Sequence, residues 1–86
     1  MYYFYVLQFG QSKKLYKGVT NDLKRRIKEH RNGLSEFTSK NGKFKLIFYE
    51  AYLDRRDARE AEKYFKSGHG REVLQQKLQY YLGEVA

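Results

Sequence analysis

The chain has 86 residues, which suits a single domain with a modest core, and we expect residues 1–86 to form that domain. It has no cysteine, which excludes disulfides and thiolate zinc sites, and no apolar run approaches the roughly 20 residues of a membrane-spanning helix. The first residues lack the basic and apolar regions of a signal peptide, so the expectation is a cytoplasmic protein without a membrane partner.

The net charge of +8 is concentrated in one segment of the chain. Residues 13–45 hold eleven Lys/Arg and three Asp/Glu, which equals the whole excess, so the remaining residues are neutral in sum. A concentrated basic surface attracts polyanions, and nucleic acid is the commonest of these. We therefore predict DNA as the partner, with RNA left open and a merely solubilising surface as the alternative. The predicted nucleic-acid contacts are Lys13, Lys14, Lys17, Lys24, Arg25, Lys28 and Arg31.

The first half of the chain predicts two strands and a helix. Residues 2–8 are aromatic and β-branched, which is typical of a strand, and a glycine-containing turn leads to a returning strand over residues 14–19. The glycine near the end of that strand indicates a close approach of backbone or a bulge. A helix over residues 21–32 follows, with Thr20 or Asn21 as its predicted N-cap.

The second half predicts one more strand and two more helices. A polar loop covers residues 33–43, and the apolar run over residues 44–52 predicts a strand at the centre of the sheet. Asp54 caps a helix over residues 55–66, and a last helix covers residues 71–82. The order β-β-α-β-α-α predicts an α/β (α+β) fold with a small three-stranded, mainly antiparallel sheet flanked by helices.

Two ionisable residues lie on the apolar face of the first helix. At about 100° per residue, Leu23, Arg26, Ile27 and His30 share one arc of roughly 100°. An arginine is almost never fully buried without a partner, so Arg26 should face a cleft or a buried carboxylate. The alternative is an arginine at the edge of the apolar stripe whose charged end reaches solvent.

The helix over residues 55–66 carries a carboxylate on its apolar face. Ala58, Ala61, Glu62 and Phe65 fall together by the same arithmetic. One interpretation is a structural ion pair between Glu62 and an inward cation such as Arg26. The other is a metal site, because Mg²⁺ is often held by one or two carboxylates together with water and substrate phosphate.

Short motifs then occur in an order and spacing that point to a nuclease family. They are Tyr3-Phe4-Tyr5, Tyr16-Lys17-Gly18, Arg26 with His30, and Ala58-Arg59-Glu60-Ala61-Glu62-Lys63. Over about residues 2–66 the chain resembles the GIY-YIG nuclease family, and most of all its small stand-alone members related to the nuclease domain of the excision-repair C subunit. It departs from the family pattern at Tyr3, where the first motif has glycine, and at Lys17, where the second has an aliphatic residue.

The resemblance implies a DNA endonuclease, with a role in DNA repair on structured or damaged DNA. It implies that one Mg²⁺ or Mn²⁺ ion, held by Glu62, assists hydrolysis of the phosphodiester, and that Arg26 contacts the scissile phosphate. Tyr5 or Tyr16 would position or deprotonate the attacking water, and His30 would accept the proton.

Two questions stay open at the level of sequence. Which tyrosine acts is undecided, and because a tyrosine with a pKa of about 10 is a poor base near pH 7, we expect the metal, Arg26 and Lys17 to lower that pKa. The alternative function is a nucleic-acid-binding protein that keeps the nuclease scaffold without cleaving.

Overall fold

The computed structural model describes residues 1–10, 13–33 and 42–83, which form a three-stranded antiparallel sheet with helices on both faces. The elements are β1 (Tyr2–Phe9), β2 (Leu15–Thr20), α1 (Leu23–Arg31), β3 (Phe44–Tyr52), α2 (Arg55–Lys66), α3 (Gly68–Lys77) and α4 (Gln79–Leu82). The predicted class and order are confirmed, with the last predicted helix divided in two. Most of the predicted loop over residues 33–43 lies outside the described residues. Within the described ranges no helix is long and apolar enough to span a membrane.

The strand order is β2-β1-β3, so β1 is central and the prediction of a central β3 is wrong. Consecutive residues of β1, from Phe4 to Leu7, are all buried, as expected for a strand covered on both faces. In β3, by contrast, Leu46 and Tyr49 are exposed. Both strands are apolar, so composition could not decide which of them would lie in the middle.

Alternate residues of β1 build two separate cores. Phe4 and Val6 pack against Ala61, Phe65 and Leu74, on the side of the sheet covered by α2 and α3. We call this group the phenylalanine cluster. Tyr5, Leu7 and Phe9 pack with Ile27 of α1 on the opposite side. The residues of β1 thus alternate between two faces, as the period of two of a strand requires.

The caps of the helices differ in part from those predicted. Asp22 is the N-cap of α1, since its carboxylate accepts a hydrogen bond from the Arg25 amide at 3.1 Å. The Thr20 hydroxyl instead accepts a hydrogen bond from the Asp22 amide at 3.1 Å. Thr20 therefore stabilises the turn before α1 and is not the N-cap of the helix. Asp54 caps α2 as predicted, and Gly83 ends α4 in the left-handed region with φ 73°.

The junction between α2 and α3 comes earlier than predicted. Ser67 ends α2 and also caps α3, because its hydroxyl accepts from the Gly70 amide at 3.1 Å, so α3 begins at Gly68 rather than near residue 71. A Cβ on Gly70 would overlap the carbonyl of Tyr64, so glycine is needed there for the two helices to approach.

Candidate active site

Four functional side chains from three elements meet on the α1 side of the sheet. They come from β1 (Tyr5), β2 (Tyr16) and α1 (Arg26 and His30), and we call them the tyrosine–histidine cluster. The ring centroid of His30 lies 5.9 Å from that of Tyr5 and 5.0 Å from that of Tyr16. The sequence-predicted proximity of these residues is therefore observed.

Gly18 makes room for the Tyr5 ring. The two residues are directly opposite each other on β1 and β2, and a Cβ on Gly18 would lie 2.7 Å from the Tyr5 hydroxyl oxygen. No side chain could occupy that space without moving the ring. The group that approaches this glycine is thus a side chain rather than the backbone that was predicted, and the irregularity of the sheet lies between Val6 and Leu7 in the pairing with β3.

The buried Tyr5–His30 pair is the inner part of the cluster. The Tyr5 hydroxyl lies 3.0 Å from Nε2 of His30, and both side chains are almost fully buried. Burial raises the pKa of Tyr5 to about 12, against the opposing effect of a hydrogen bond from Arg26. Burial, and then the charge of Arg26, lowers the pKa of His30 below 6.5. At neutral pH the pair is therefore a protonated phenol beside a neutral imidazole.

Arg26 does not bring the pKa of Tyr5 below its ordinary value, because desolvation outweighs this nearby cation. The effect of a metal ion on this pKa stays a prediction. Lys17 lies on the other side of the sheet, since it is opposite Val6 of the phenylalanine cluster. Burial, with Arg71 and Lys66 nearby, lowers the pKa of Lys17 itself.

Arg26 lies at the outer edge of the cluster, with 29% of its side chain exposed. Its guanidinium donates to the Glu29 carboxylate at 3.0 Å. Burial favours the neutral form, but hydrogen bonds to Glu29, Tyr5 and Tyr16 prevail and raise the pKa of Arg26. The group is thus a permanent cation that both tyrosines and one carboxylate hold in place. Sequence reasoning missed Glu29, although its position three residues after Arg26 is a standard helical pairing distance.

Glu62 has different surroundings. It lies on α2, whose buried residues Ala61 and Phe65 pack on the opposite face of the sheet, and its carboxylate accepts from Lys66 at 3.1 Å. The structural alternative of a Glu62–Arg26 ion pair is not observed, since Arg26 pairs with Glu29. About a quarter of the Glu62 side chain is exposed, so its oxygen atoms can be reached from solvent.

The predicted nucleic-acid contacts divide by position. Lys17 is half-buried on the α2 side, and the others are exposed, namely Lys13, Lys14, Lys24, Arg25, Lys28 and Arg31. Arg25 donates to Asn21 at 3.2 Å and lies 4.0 Å from Glu29. A polyanion can reach these exposed side chains from solvent.

The fold thus gathers two tyrosines, an arginine and a histidine between a small antiparallel sheet and its first helix, and these are part of the set of side chains on which the resemblance to a nuclease family rests. The sequence matches the family described as GIY-YIG catalytic domain over residues 1–79. The chain belongs to this family, and the nucleases of the family act on DNA.

Similar proteins carry the designation UPF0213. YazA of Bacillus subtilis is 33% identical over 84 residues, which cover 96% of this chain and 79% of YazA. A UPF0213 protein of Clostridium perfringens is 39% identical over 67 residues, covering 77% of this chain and 71% of that protein. The solution NMR structure of a UPF0213 protein from Bacillus halodurans matches with a TM-score of 0.54 and 31% identity, over 88% of this chain and 84% of that one.

Proposed function

We propose that the protein is a DNA endonuclease that hydrolyses phosphodiester bonds with the help of one divalent metal ion. The observation that carries this proposal is the tyrosine–histidine cluster, in which a permanent cation, two phenols and a neutral imidazole lie together. These are the group types that phosphoryl chemistry needs for charge neutralisation, water positioning and proton uptake.

Arg26 is the residue that contacts the scissile phosphate in this proposal. Its planar fork suits the non-bridging oxygens of a phosphate, and it is partly exposed while Glu29 and the tyrosines fix its orientation. A preorganised cation of this kind stabilises charge that develops in the transition state without reorganising during the reaction.

Tyr16 is the tyrosine that orients the attacking water. Tyr5 is almost fully buried with a pKa of about 12, whereas Tyr16 is half-buried at the edge strand β2 and therefore nearer to substrate. In this proposal the proton of the water passes to the neutral imidazole of His30, whose other nitrogen is an acceptor in the tautomer whose Nε2–H donates to the Tyr5 hydroxyl. Tyr5 then acts as a positioning residue, through its 3.0 Å contact with Nε2 of His30.

Glu62 is the residue that would hold Mg²⁺ or Mn²⁺. Its partly exposed carboxylate is a hard oxygen donor, and Mg²⁺ accepts one protein carboxylate when water and substrate phosphate complete its shell. The described residues contain no group of three or more His, Cys, Asp or Glu that could hold a metal, so water and substrate oxygens would have to complete the shell of an ion at Glu62. Because Glu62 lies on the α2 side of the sheet and Arg26 on the α1 side, an ion at Glu62 would polarise the phosphate that Arg26 contacts where the substrate spans the edge strand β2.

The proposed substrate is structured or damaged DNA, consistent with a role in repair in the cytoplasm. A small domain that contacts DNA mainly through exposed lysines and arginines has little means of reading base sequence. Selectivity then has to come from the shape of the substrate.

The direct test is a panel of labelled single-stranded, duplex, flap and branched DNAs, incubated with Mg²⁺, with Mn²⁺ or with EDTA. The decisive variant is Glu62→Gln, which keeps the shape of the side chain and removes the charge that a hard cation requires. Glu60→Gln is the matched control, since Glu60 is an exposed carboxylate on the same helix that pairs with Lys63. We expect metal-dependent cleavage by the wild type and the control, and none by Glu62→Gln.

The outcomes separate the two functions. Wild-type cleavage by Glu62→Gln would overturn the metal assignment. Salt-sensitive DNA binding without cleavage of any substrate would show that the chain is a binding protein on a nuclease scaffold.

A further inference from the structure

A second surface lies on the other flank of α1, outside the tyrosine–histidine cluster. It is a groove of about 850 Å³ between α1 and the edge strand β3, and we call it the α1–β3 groove. Its floor is apolar and aromatic, formed chiefly by Tyr3, Leu23, Ile27, Leu46 and Tyr49. None of the four cluster residues lines it. The groove is therefore a separate feature that shares only a helix with the candidate active site.

Exposed aromatic surface is the first notable property of the groove. Tyr49 is 53% exposed although it is a large side chain on a strand, and Tyr3 packs against it with ring centroids 6.1 Å apart at 64°. Tyr3 stands where the first family motif has glycine, so this chain places a second aromatic ring in the groove. Leu46 is exposed beside them, which makes the apolar surface continuous rather than a single isolated residue.

Positive charge along one rim is the second property. Lys24, Lys28 and Arg31 line the groove, and at about 100° per residue they lie within an arc of roughly 60° on α1. They span about 10 Å of helix, enough for two or more phosphates of a stacked strand.

The charge on this rim is not neutralised within the described part of the chain. The acidic residue inside α1, Glu29, pairs with Arg25 and Arg26 on other sides of the helix. Lys24, Lys28 and Arg31 take part in no ion pair among residues 1–10, 13–33 and 42–83. Asp22, the N-cap of α1, also lines the groove, so the groove has three cations and one carboxylate and offers net positive charge to an anionic polymer.

We propose that the α1–β3 groove binds an unpaired DNA strand, with a base stacked on Tyr49 and the backbone on the rim of Lys24, Lys28 and Arg31. Aromatic platforms beside a basic track bind single strands, because unpaired bases expose faces that can stack. A duplex hides those faces and would use the cations while leaving the apolar floor uncovered. The combination of charge and stacking surface therefore favours a single strand over a duplex.

This inference rests on the proposed function only in one respect, since it gives the nuclease its preferred substrate class. A strand bound in the groove would lie across α1 from Arg26, so the proposed substrate contains an unpaired segment next to the cleaved phosphate. Binding itself is independent of cleavage and can be measured in EDTA.

The test is fluorescence anisotropy with a labelled single-stranded oligothymidine and a duplex of equal length, at fixed salt and in EDTA. Tyr49→Ala should raise the Kd for the single strand by about 5- to 150-fold and change the Kd for the duplex by less than about 2-fold. Tyr49→Phe should bind as the wild type does, because the ring is kept. Tyr80→Ala is the matched control, since Tyr80 is 84% exposed on α4 and outside the groove.

The charge on the rim has its own control. Changing Lys24, Lys28 and Arg31 to Gln should weaken single-strand binding. The slope of log K against log salt concentration should become shallower by about 0.7 for each phosphate that is no longer neutralised. The comparison protein has equal charge removed from α2 and α3, by Arg59→Gln, Lys63→Gln and Lys77→Gln, and should keep a much larger share of the wild-type affinity. All six positions are exposed, and thermal unfolding checks that each variant is folded.

Several results would overturn the proposal. Tyr49→Ala could bind the single strand as the wild type does, or lose equal affinity for duplex and single strand. Tyr80→Ala could have as large an effect as Tyr49→Ala. The wild type could bind an oligouridine RNA more tightly than the DNA. If the groove binds single strands but the protein cleaves no DNA, the proposed nuclease function is wrong and the groove proposal stands. If Tyr49→Ala and the rim variants cleave flap DNA as the wild type does, the groove proposal is wrong and the nuclease function stands.

Discussion

The two faces of β1 serve different purposes although they alternate residue by residue. On one face Phe4 stacks on Phe65 with ring centroids 5.1 Å apart, inside a cluster of wholly apolar side chains. On the other face Tyr5 presents a hydroxyl to His30. Among the described residues no buried side-chain nitrogen or oxygen lacks a hydrogen-bond partner, so the polar face is satisfied as well as buried.

This comparison shows how a small domain separates stability from chemistry. The phenylalanine cluster needs only volume and close packing, so its residues contribute chiefly to the free energy of unfolding. The tyrosine–histidine cluster desolvates polar groups, which costs free energy unless every group is paired, and its members gain shifted pKa values in return. Substitutions on the apolar face should therefore change mainly the free energy of unfolding, and substitutions on the polar face should change catalysis as well.

The largest expected effect is on the apolar face. Phe65→Ala should lower the free energy of unfolding by about 3–5 kcal/mol, because it removes a buried ring and leaves a cavity next to Phe4. Urea denaturation measures this, with Tyr80→Ala as an exposed aromatic control that should change little. Where Phe65→Ala is still folded, cleavage per folded molecule should be retained. A decrease of less than about 1 kcal/mol would contradict the structural role of this face.

The second effect is on the polar face and concerns catalysis. Arg26→Ala should slow cleavage by about 10²–10³-fold, because it removes a preorganised cation from the cluster. Arg25→Ala removes the same charge one residue away, from a side chain that is 59% exposed, and should cost much less. Single-turnover cleavage of the preferred DNA compares the two. Equal effects would show that the partners of Arg26 have no catalytic importance.

The third prediction divides the two tyrosines. Tyr5→Phe should destabilise the fold by about 1–3 kcal/mol, because it leaves Nε2 of His30 buried without its partner. Tyr16→Phe should affect unfolding less and cleavage more, since Tyr16 is half-buried at the edge strand. Urea denaturation and single-turnover cleavage of both variants test this. The reverse pattern would make Tyr5 the residue that orients the water.

The smallest expected effect is on the pH dependence of stability. The pKa of His30 is lowered in the folded protein, so the unfolded chain binds a proton first as the pH falls below 6.5. Stability contributed by neutral His30 is therefore fully present above that pH. It is lost as the pH falls through the region between the unfolded and folded pKa values, at no more than about 1.4 kcal/mol per pH unit.

Melting temperatures between pH 7.5 and 5 measure this slope. His30→Gln should flatten it, whereas His69→Gln should leave it unchanged, because His69 is exposed and is the only other histidine. Equal slopes in the wild type and in His30→Gln would show that His30 is not the titrating group. The same lowered pKa predicts that cleavage persists below pH 6.5, until His30 becomes protonated and can no longer accept a proton.

Periodicity and motif spacing were enough to predict the class, the order of elements and the grouping of Arg26 with His30. These features are local, since the angle between two residues of one helix, or the face of one strand residue, follows from the geometry of that element alone. The family match over residues 1–79 agrees with the predicted class, and the influence of the Arg26 charge on His30 agrees with the grouping of these two residues.

Relations between elements were decided only by the tertiary structure. The sequence could not tell that β1 rather than β3 is central, because both strands are apolar. That strand order leaves Tyr49 open on an edge and places Lys17 on the α2 side. Burial between sheet and helix then raises the pKa of Tyr5, where nearby charges alone predicted the opposite. Desolvation and partner choice depend on what packs across an element, and the local pattern does not contain that information.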